Sequence, residues 1–546
     1  MKNIIIKKYK TFSALVIIGF LTMASLCFSQ PALDTREEKT ERILQKFDTI
    51  NVPEENKEII DTAINHPKDP STINNNSTKD TKDEKIVKKN DTAKTEGNKI
   101  KSYDSTRFNM FGNLLTDDTV YNKKYPLWRP IAGVLEQHAF LGLYNRYIAN
   151  VDFGRVGFNT WAYNIKTGWE WDRDRFGMNF LGHPFSGGGT FNTGRSNGYN
   201  FWQSVPFAFT GSLLWEYFGE NTLPSKNDII NTTISGAFYG EIMYRLSSNI
   251  LDDRTTGLER VIRELSAGVI SPTRFFARII QGKFSRVLSQ EVYQKEPLNI
   301  ELSVGDRRLN DGNSFLTGPG NLLVNAQFDY GYPFEKRTWK PFDYFTLHLG
   351  VNIGTGRKII ENVVGYGVLA AKSVQFGKLE TLMGLFQHYD YFDNTTFELG
   401  TIAIGGGIMT KYPLSKGTYL FTNLHLGIVP LAGNSTRLGP DTSQFRDYTY
   451  GGGLETKLEG GINFGWASIQ ANGNFYWIGT YVGPAGSNYI GIFRPRVTVR
   501  ITGELNVGFE QLVYYSTRNT TDFGNFRSVR TEQRFYVMYN VGNFKL

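Results

Sequence analysis

L-L-V-N-A-Q-F-D-Y-G-Y, residues 322–332, alternates residue by residue. Leu322, Val324, Ala326, Phe328 and Tyr330 share one face, and Asn325, Gln327 and Asp329 lie between them. A side-chain period of two marks a β-strand with one apolar and one polar face. The same reading recurs to the end of the chain. Phe345, Leu347, Leu349, Val351 and Ile353 alternate with Thr346, His348 and Asn352; Leu454, Leu458, Ile462 and Phe464 alternate with Glu455, Lys457 and Glu459; Val497, Val499 and Ile501 alternate with Arg496, Thr498 and Arg500. A soluble sandwich would also alternate. Three further features point to a transmembrane barrel. The runs are long and number about twelve, an even count. Short connections near Gly377, Pro413–Gly417, Gly465 and Gly503 alternate with long ones at 306–320, 431–446 and 517–527, as periplasmic turns alternate with outer loops. Tyr, Phe and Trp gather near strand ends, as aromatic girdles do.

The polar faces carry Glu455, Lys457, Glu459, Arg496, Arg500, Glu504 and Glu510. These should face the lumen, where they either line a pore or brace a closed barrel. The last strand has Phe535, Val537, Tyr539 and Val541 on its outward face. It resembles the terminal strand that the barrel-assembly machinery of Gram-negative bacteria reads. It departs from that pattern by ending in Leu546 with Phe544 third from the end.

Before Pro297 the period is helical. Pro130 opens one helix, and Ile131 to Ile148 carry apolar residues at helical spacing. Trp202–Phe218 reads as an apolar helix, too short and too acidic at Glu216 to span a bilayer. Ser225-x-x-Asp228 is a capping-box-like start for a helix to about Ser248. Along it Thr232, Gly236, Gly240 and Tyr244 recur every four residues, a small face that admits a second backbone. Glu241 and Arg245 sit one turn apart and can pair. A basic helical stretch follows over about Gly257–Phe284.

The amino-terminal part reads differently again. Lys2, Lys7, Lys8 and Lys10, then the apolar run Phe12–Leu26, then Cys27 and Ser29 before Gln30 form a secretory signal, residues 1–29. Bulky Leu26 argues against lipidation of Cys27. Cys27 is the single cysteine of the chain, so the processed protein has no disulfide, and any zinc site must use His and carboxylates. Those four lysines supply half of the formal net charge of +8, and the remaining balance gives no nucleic-acid footprint. Residues 30–105, rich in Lys, Asp, Glu, Thr and Asn, read as a disordered periplasmic tether.

Four blocks follow in order: W-E-W-D-R-D-R-F-G-M-N-F-L-G-H-P from Trp169, R-S-N-G-Y-N-F-W from Arg195, W-E-Y-F-G-E from Trp215 and P-S-K-N-D from Pro224. Together they resemble an uncharacterised domain-of-unknown-function family of Gram-negative envelope proteins, often followed by a β-barrel. The resemblance spans roughly residues 108–250 and implies an outer-membrane setting. It implies no reaction and no residue roles.

Those blocks hold the candidate chemistry. Asp172, Asp174 and His183 are the residue types of acid–base work and of metal binding, but their spacing matches no zinc or hydrolase signature. The plainer reading has the aspartates bracing a loop, with Arg173 or Arg195 as partners. Glu216 and Glu220 share a helix face at i, i+4 and repel unless a cation or proton intervenes. Arg195 or Arg245 is the expected source of that charge. All six of Asp172, Asp174, His183, Arg195, Glu216 and Glu220 are expected in one polar pocket. Gly187–Gly189 lacks the Lys-Ser/Thr of a phosphate loop. No cofactor is expected.

The sequence thus specifies an α+β chain: a helical periplasmic domain of unknown function at 106–290, then an antiparallel transmembrane β-barrel of about twelve strands at 297–546. The expected role is a non-catalytic outer-membrane protein whose helices plug or cap the barrel and serve transport or envelope assembly. An enzyme acting on envelope lipid or glycan through the Asp/His/Glu/Arg cluster is one alternative. A scaffold for another envelope component is the other. Expected partners are outer-membrane lipid and the barrel-assembly machinery.

Overall fold

The computed structural model describes residues 108–109, 112–353, 359–394, 396–435 and 448–542. The signal segment, the tether, most of the 431–446 connection and the chain end at Phe544 and Leu546 lie outside the described residues.

Among the described residues twelve antiparallel strands close into one barrel: β1 (Leu298–Asp311), β2 (Gly320–Tyr330), β3 (Phe345–Ile353), β4 (Ile360–Phe376), β5 (Leu379–Asp393), β6 (Glu398–Ser415), β7 (Thr418–Ser435), β8 (Thr449–Asn463), β9 (Ala467–Val482), β10 (Gly486–Thr502), β11 (Leu505–Thr520) and β12 (Gly524–Gly542). Each strand pairs with its sequence neighbours, and β12 closes on β1 with Val304 opposite Val537 and Leu302 opposite Tyr539. The expected short turns carry glycines at positive φ, at Gly377, Gly417, Gly465 and Gly503. Two expected long loops are shorter because their strands run on: β1 reaches Asp311 before β2 starts at Gly320, and β11 reaches Thr520 before β12 starts at Gly524. One connection at the short-turn end is long instead, residues 331–344 between β2 and β3.

Contacts across the barrel identify the inner face. Arg307 of β1 reaches Glu361 of β4 at 2.7 Å and Glu532 of β12 at 2.9 Å. Arg496 of β10 reaches Glu301 of β1 at 3.0 Å. Lys457 of β8 meets Asp390 of β5 at 2.7 Å, and Tyr476 of β9 donates to the same carboxylate at 2.9 Å. His388 bonds Glu455 and lies 2.7 Å from His425. Toward the long-loop end Phe397, Leu399, Val429, Ile478, Ile490, Leu512 and Tyr514 form a buried apolar layer. A polar cavity of about 170 Å³ at the short-turn end is lined by Asp329, Lys411, Glu459 and Arg496 among others. The charged strand positions therefore brace a filled lumen.

Alternation places their neighbours on the outer wall. Over β7–β12 and β1 these are exposed and apolar: Leu424, Leu454, Phe475, Phe493, Val497, Val507, Phe535, Val537 and Val304. Over β3–β8 part of the outer wall is covered by helices. Seven α-helices are described: α1 (Trp128–Leu143), α2 (Phe158–Thr167), α3 (His183–Ser196), α4 (Phe201–Leu214), α5 (Lys226–Ile250), α6 (Gly257–Ile270) and α7 (Pro272–Ile280). None is long and apolar enough to cross a membrane by itself. Asn200 caps α4, accepting from the Gln203 amide at 2.9 Å, and the Ser225 hydroxyl caps α5. The small face of α5 does admit a backbone. A Cβ on Gly236 would lie 2.7 Å from the Gly187 carbonyl carbon, and one on Gly240 would lie 2.9 Å from the Gly188 oxygen. Gly187 and Gly188 are thus packing residues of α3.

The 25-residue α5 lies along the outer wall. Phe238 stacks on Tyr389 of β5 at 5.6 Å, and Gln387 donates to the Ile234 carbonyl at 2.7 Å. Phe180, just before α3, seats on Gly400 of β6 and Gly433 of β7, where any Cβ would come within 2.3 Å of its ring. Tyr389, Gly400 and Gly433 alternate with lumenal His388, Asp390 and Thr401, whose hydroxyl bonds Asp390 at 3.3 Å. The helices therefore lie on the outside, and the expected plug or cap is corrected. The barrel's own side chains fill its lumen, and the apolar faces of the helices are buried against the wall.

Candidate functional site

Between this helical layer and the β8 edge of the wall, several polar chains converge. An extended segment carries Asp172 there. Its ends are fixed by backbone bonds between Glu170 and the start of α5, Glu170 N–H to Pro224 at 2.9 Å and Lys226 N–H to the Glu170 carbonyl at 2.8 Å. Two wide, π-type turns aim further groups inward, Met178–Gly182 before His183 and Trp215–Gly219 around Glu216. Such turns recur at functional sites because they redirect side chains out of the regular helical register. The first turn of α5 adds Asn227 and Asp228.

One oxygen of Asp172 accepts from Asn179 Nδ2 at 2.9 Å, Asn227 Nδ2 at 2.9 Å and the Tyr450 hydroxyl at 2.8 Å. Asn179 also reaches the Tyr448 and Tyr450 hydroxyls, each at 2.6 Å. Outward-facing Tyr450 of β8, and Tyr448 just before that strand, thus tie the pocket to the barrel. Glu216 is 1 % exposed. Its Oε2 accepts from the Ser225 N–H at 2.7 Å, and its Oε1 has no hydrogen-bond partner. His183 Nε2 stands 3.7 Å from Asp228 Oδ1, and Asn227 donates to that oxygen at 3.0 Å. Two overlapping sets, Asp172/Asp174/His183 and His183/Glu216/Asp228, each bring one ligand atom per residue within 4.8 Å of the others.

Crowding of like charges in a buried place raises the carboxyls. Burial, then the repulsion of Asp172 and Asp174 acting against the Ser225 hydrogen bond, pushes Glu216 up to about 8. Burial and then Glu216 push Glu220 well above the carboxylate range, and burial and then Asp172 do the same to Asp228. Burial holds His183 below its usual value, with Asp172 pulling the other way.

The expected cation is not there. Arg195 turns instead to Glu241, with Nε at 2.7 Å from one carboxylate oxygen and Nη2 at 3.0 Å from the other. Arg245 takes Glu241 at 2.7 Å and Asp343 at 3.0 Å. Both guanidiniums are satisfied a turn or more along α5 from Asp228, so Arg195 leaves the cluster and Arg245 does not serve Glu216. The pocket joins Asp172, Asp174, His183 and Glu216, and Glu220 stands near enough to feel the charges of Glu216, Asp174 and Asp172. It also holds Asp228, which the sequence reading treated only as part of a cap. Its carboxylate faces His183, while the Ser225 hydroxyl accepts from its N–H at 3.3 Å. Tyr448 and Tyr450 carried no signal, because an outward tyrosine near a strand end also fits an aromatic girdle.

Among the described residues neither Glu216, Glu220 nor Asp228 pairs with lysine or arginine. The contrast within the chain is sharp. Buried Asp253 meets Arg278 at 2.9 Å and Arg260 at 3.0 Å, and buried Glu264 meets Arg278 at 2.6 Å.

No curated protein matches the chain. Similar solved structures include the NanC porin (8 % identity, TM-score 0.25, 44 % of this chain and 98 % of that one). Others are the outer membrane protein OmpT of Vibrio cholerae (8 %, TM-score 0.22, 45 % and 96 %) and the outer membrane channel DcaP of Acinetobacter baumannii (7 %, TM-score 0.20, 45 % and 96 %). Residues 168–273 match the family described as a domain of unknown function, DUF3943, and that span takes in every pocket residue from Asp172 to Asp228.

Proposed function

We propose that the protein is an outer-membrane barrel with a closed lumen, and that it works as an envelope enzyme on a lipid or lipid-linked glycan through the pocket on its outer wall. Glu216 carries this reading. It is a fully buried carboxylic acid with, among the described residues, one oxygen unbonded and no lysine or arginine beside it. Leaving such a group unmatched costs several kcal/mol, and this chain supplies arginines to Glu241, Asp253 and Glu264. A buried oxygen left open in this way, with no basic side chain to match it among the described residues, leaves a position that a ligand can complete.

The membrane setting is supported by the exposed apolar outer wall and by the secretory reading of residues 1–29. The helical layer shares that setting. Its outer faces carry Ile131, Leu135, Phe140, Leu143 and Phe209, all exposed, so it sits at the bilayer beside the barrel and not free in the periplasm. His183 and Glu216 are the groups placed to exchange protons with a lipid. The filled lumen favours this reading over transport. The test is lipid mass spectrometry on envelopes from a deletion strain complemented with wild type, Glu216→Gln or His183→Asn. Wild type alone should restore the lipid profile. A profile that the deletion leaves unchanged would remove the enzyme.

A further inference from the structure

The same pocket has the makings of a metal site, and this inference rests on the reading of it as the working centre. We propose that His183, Glu216 and Asp228 bind one divalent transition-metal ion, with Asp172 anchored beside them.

The spacing fits an ion better than it fits hydrogen bonds. The 3.7 Å between His183 Nε2 and Asp228 Oδ1 is too long for a hydrogen bond. Two ligands about 2.1 Å from a tetrahedral ion stand about 3.4 Å apart, so a small shift brings the His183–Asp228 pair to that spacing, and the ligand atoms of all three residues lie within 4.8 Å of one another. The glutamate is prepared as a ligand should be. The Ser225 N–H fixes Oε2 at 2.7 Å and leaves Oε1 without a partner in a fully buried position. Asp228 is oriented in the same manner by Asn227, and Asn227 and Tyr450 hold Asp172. Outer hydrogen bonds of this kind align ligands at metal centres. The charge is also right, because two carboxyls, Glu216 and Asp228, converge with a histidine, and among the described residues neither pairs with a guanidinium. A bound dication would supply the missing counter-charge. One imidazole with carboxylates suits zinc or manganese better than an ion that requires oxygen alone.

Full-length protein in detergent, treated with chelator and dialysed, is titrated calorimetrically with Zn²⁺ and with Mn²⁺. We expect one ion per chain for at least one of them. His183→Asn, Glu216→Gln and Asp228→Asn should each weaken it at least tenfold, with the heat-modifiable gel shift of the folded barrel retained. Glu259→Gln, an exposed change on α6, should leave binding unaltered. No binding of either ion, or binding that all three pocket variants keep, would overturn the site. The lipid assay is separate. Metal binding without a lipid change would remove the enzyme and leave the site, and a lipid change lost in Glu216→Gln without metal binding would do the reverse.

Discussion

Glu216 and Glu241 are both buried carboxyls of the helical layer, and they respond differently to neutralisation. Glu241 accepts from Arg195 and Arg245 together. Removing it by Glu241→Ala leaves Arg195 without its carboxylate and Arg245 with Asp343 alone, and should cost about 3 kcal/mol. Among the described residues Glu216 has no such partner and, with its carboxyl pushed up to about 8 by burial, it is mostly protonated at neutral pH, so Glu216→Gln in the metal-free protein should cost less than about 1 kcal/mol. Urea unfolding of the detergent-solubilised variants, followed by tryptophan fluorescence, checks both. Equal losses would mean that Glu216 has a cation after all. At this scale the sequence singled out acids and a histidine because burying several acidic residues among aromatics demands compensation, and Asp172, Asp174, His183 and Glu216 do lie near one another. It misassigned the compensation. Arg195 and Glu241 stand 46 positions apart, and only the crossing of α3 and α5 decides that they meet.

Helices α1, α4 and α5 were legible from caps and periodicity, and the small face of α5 from its four-residue repeat, whereas α3, with its three consecutive glycines, was not read as a helix. A Gly240→Val change drives a side chain into Phe191 and the Gly188 carbonyl. It should cost about 1–3 kcal/mol by parting α3 from α5, read as a lowered unfolding midpoint. The loop after α7 gives a pH-dependent case. Burial first, then Arg286, Arg278 and Arg274, lower Lys283 from 10.5 to about 7. Between those values the unfolded chain holds the proton that the folded chain has released, so stability rises with pH across that window. Below about 7 both states are charged and the full penalty of burying the ammonium is felt. The stability gain from Lys283→Met should therefore be larger at pH 6 than at pH 9, and equal gains would refute it. What the sequence did not yield at this scale is where the helices dock. The trace it left is faint: Gly365, Gly367, Gly400 and Gly433 replace large apolar residues at outward positions, which makes room for Phe238, Phe342 and Phe180.

Strand number, closure and facing follow from a period of two and an even count, so the barrel was legible in one dimension. Whether its lumen is open was not, because alternation says which side a residue faces and never what it meets across the barrel. The structure settles that pairing through Arg307, Arg496, Lys457 and His388 and through the apolar layer around Leu399 and Ile490. An ion entering the cavity beside Asp329 and Glu459 would have to displace buried ion pairs and then cross that layer. Breaking a buried pair costs about 3–5 kcal/mol, and several stand in series. Purified protein in planar bilayers should therefore show no steady single-channel conductance. Shortening the layer alone, by Leu399→Ala with Ile490→Ala, should not open it, because the ion pairs behind remain. Adding Arg307→Ala and Arg496→Ala removes the cations that span the lumen and should produce measurable current if the barrel still shows its heat-modifiable shift. Steady conductance from the wild type would mean that the lumen opens in the membrane, and transport would then displace the outer-wall pocket as the function.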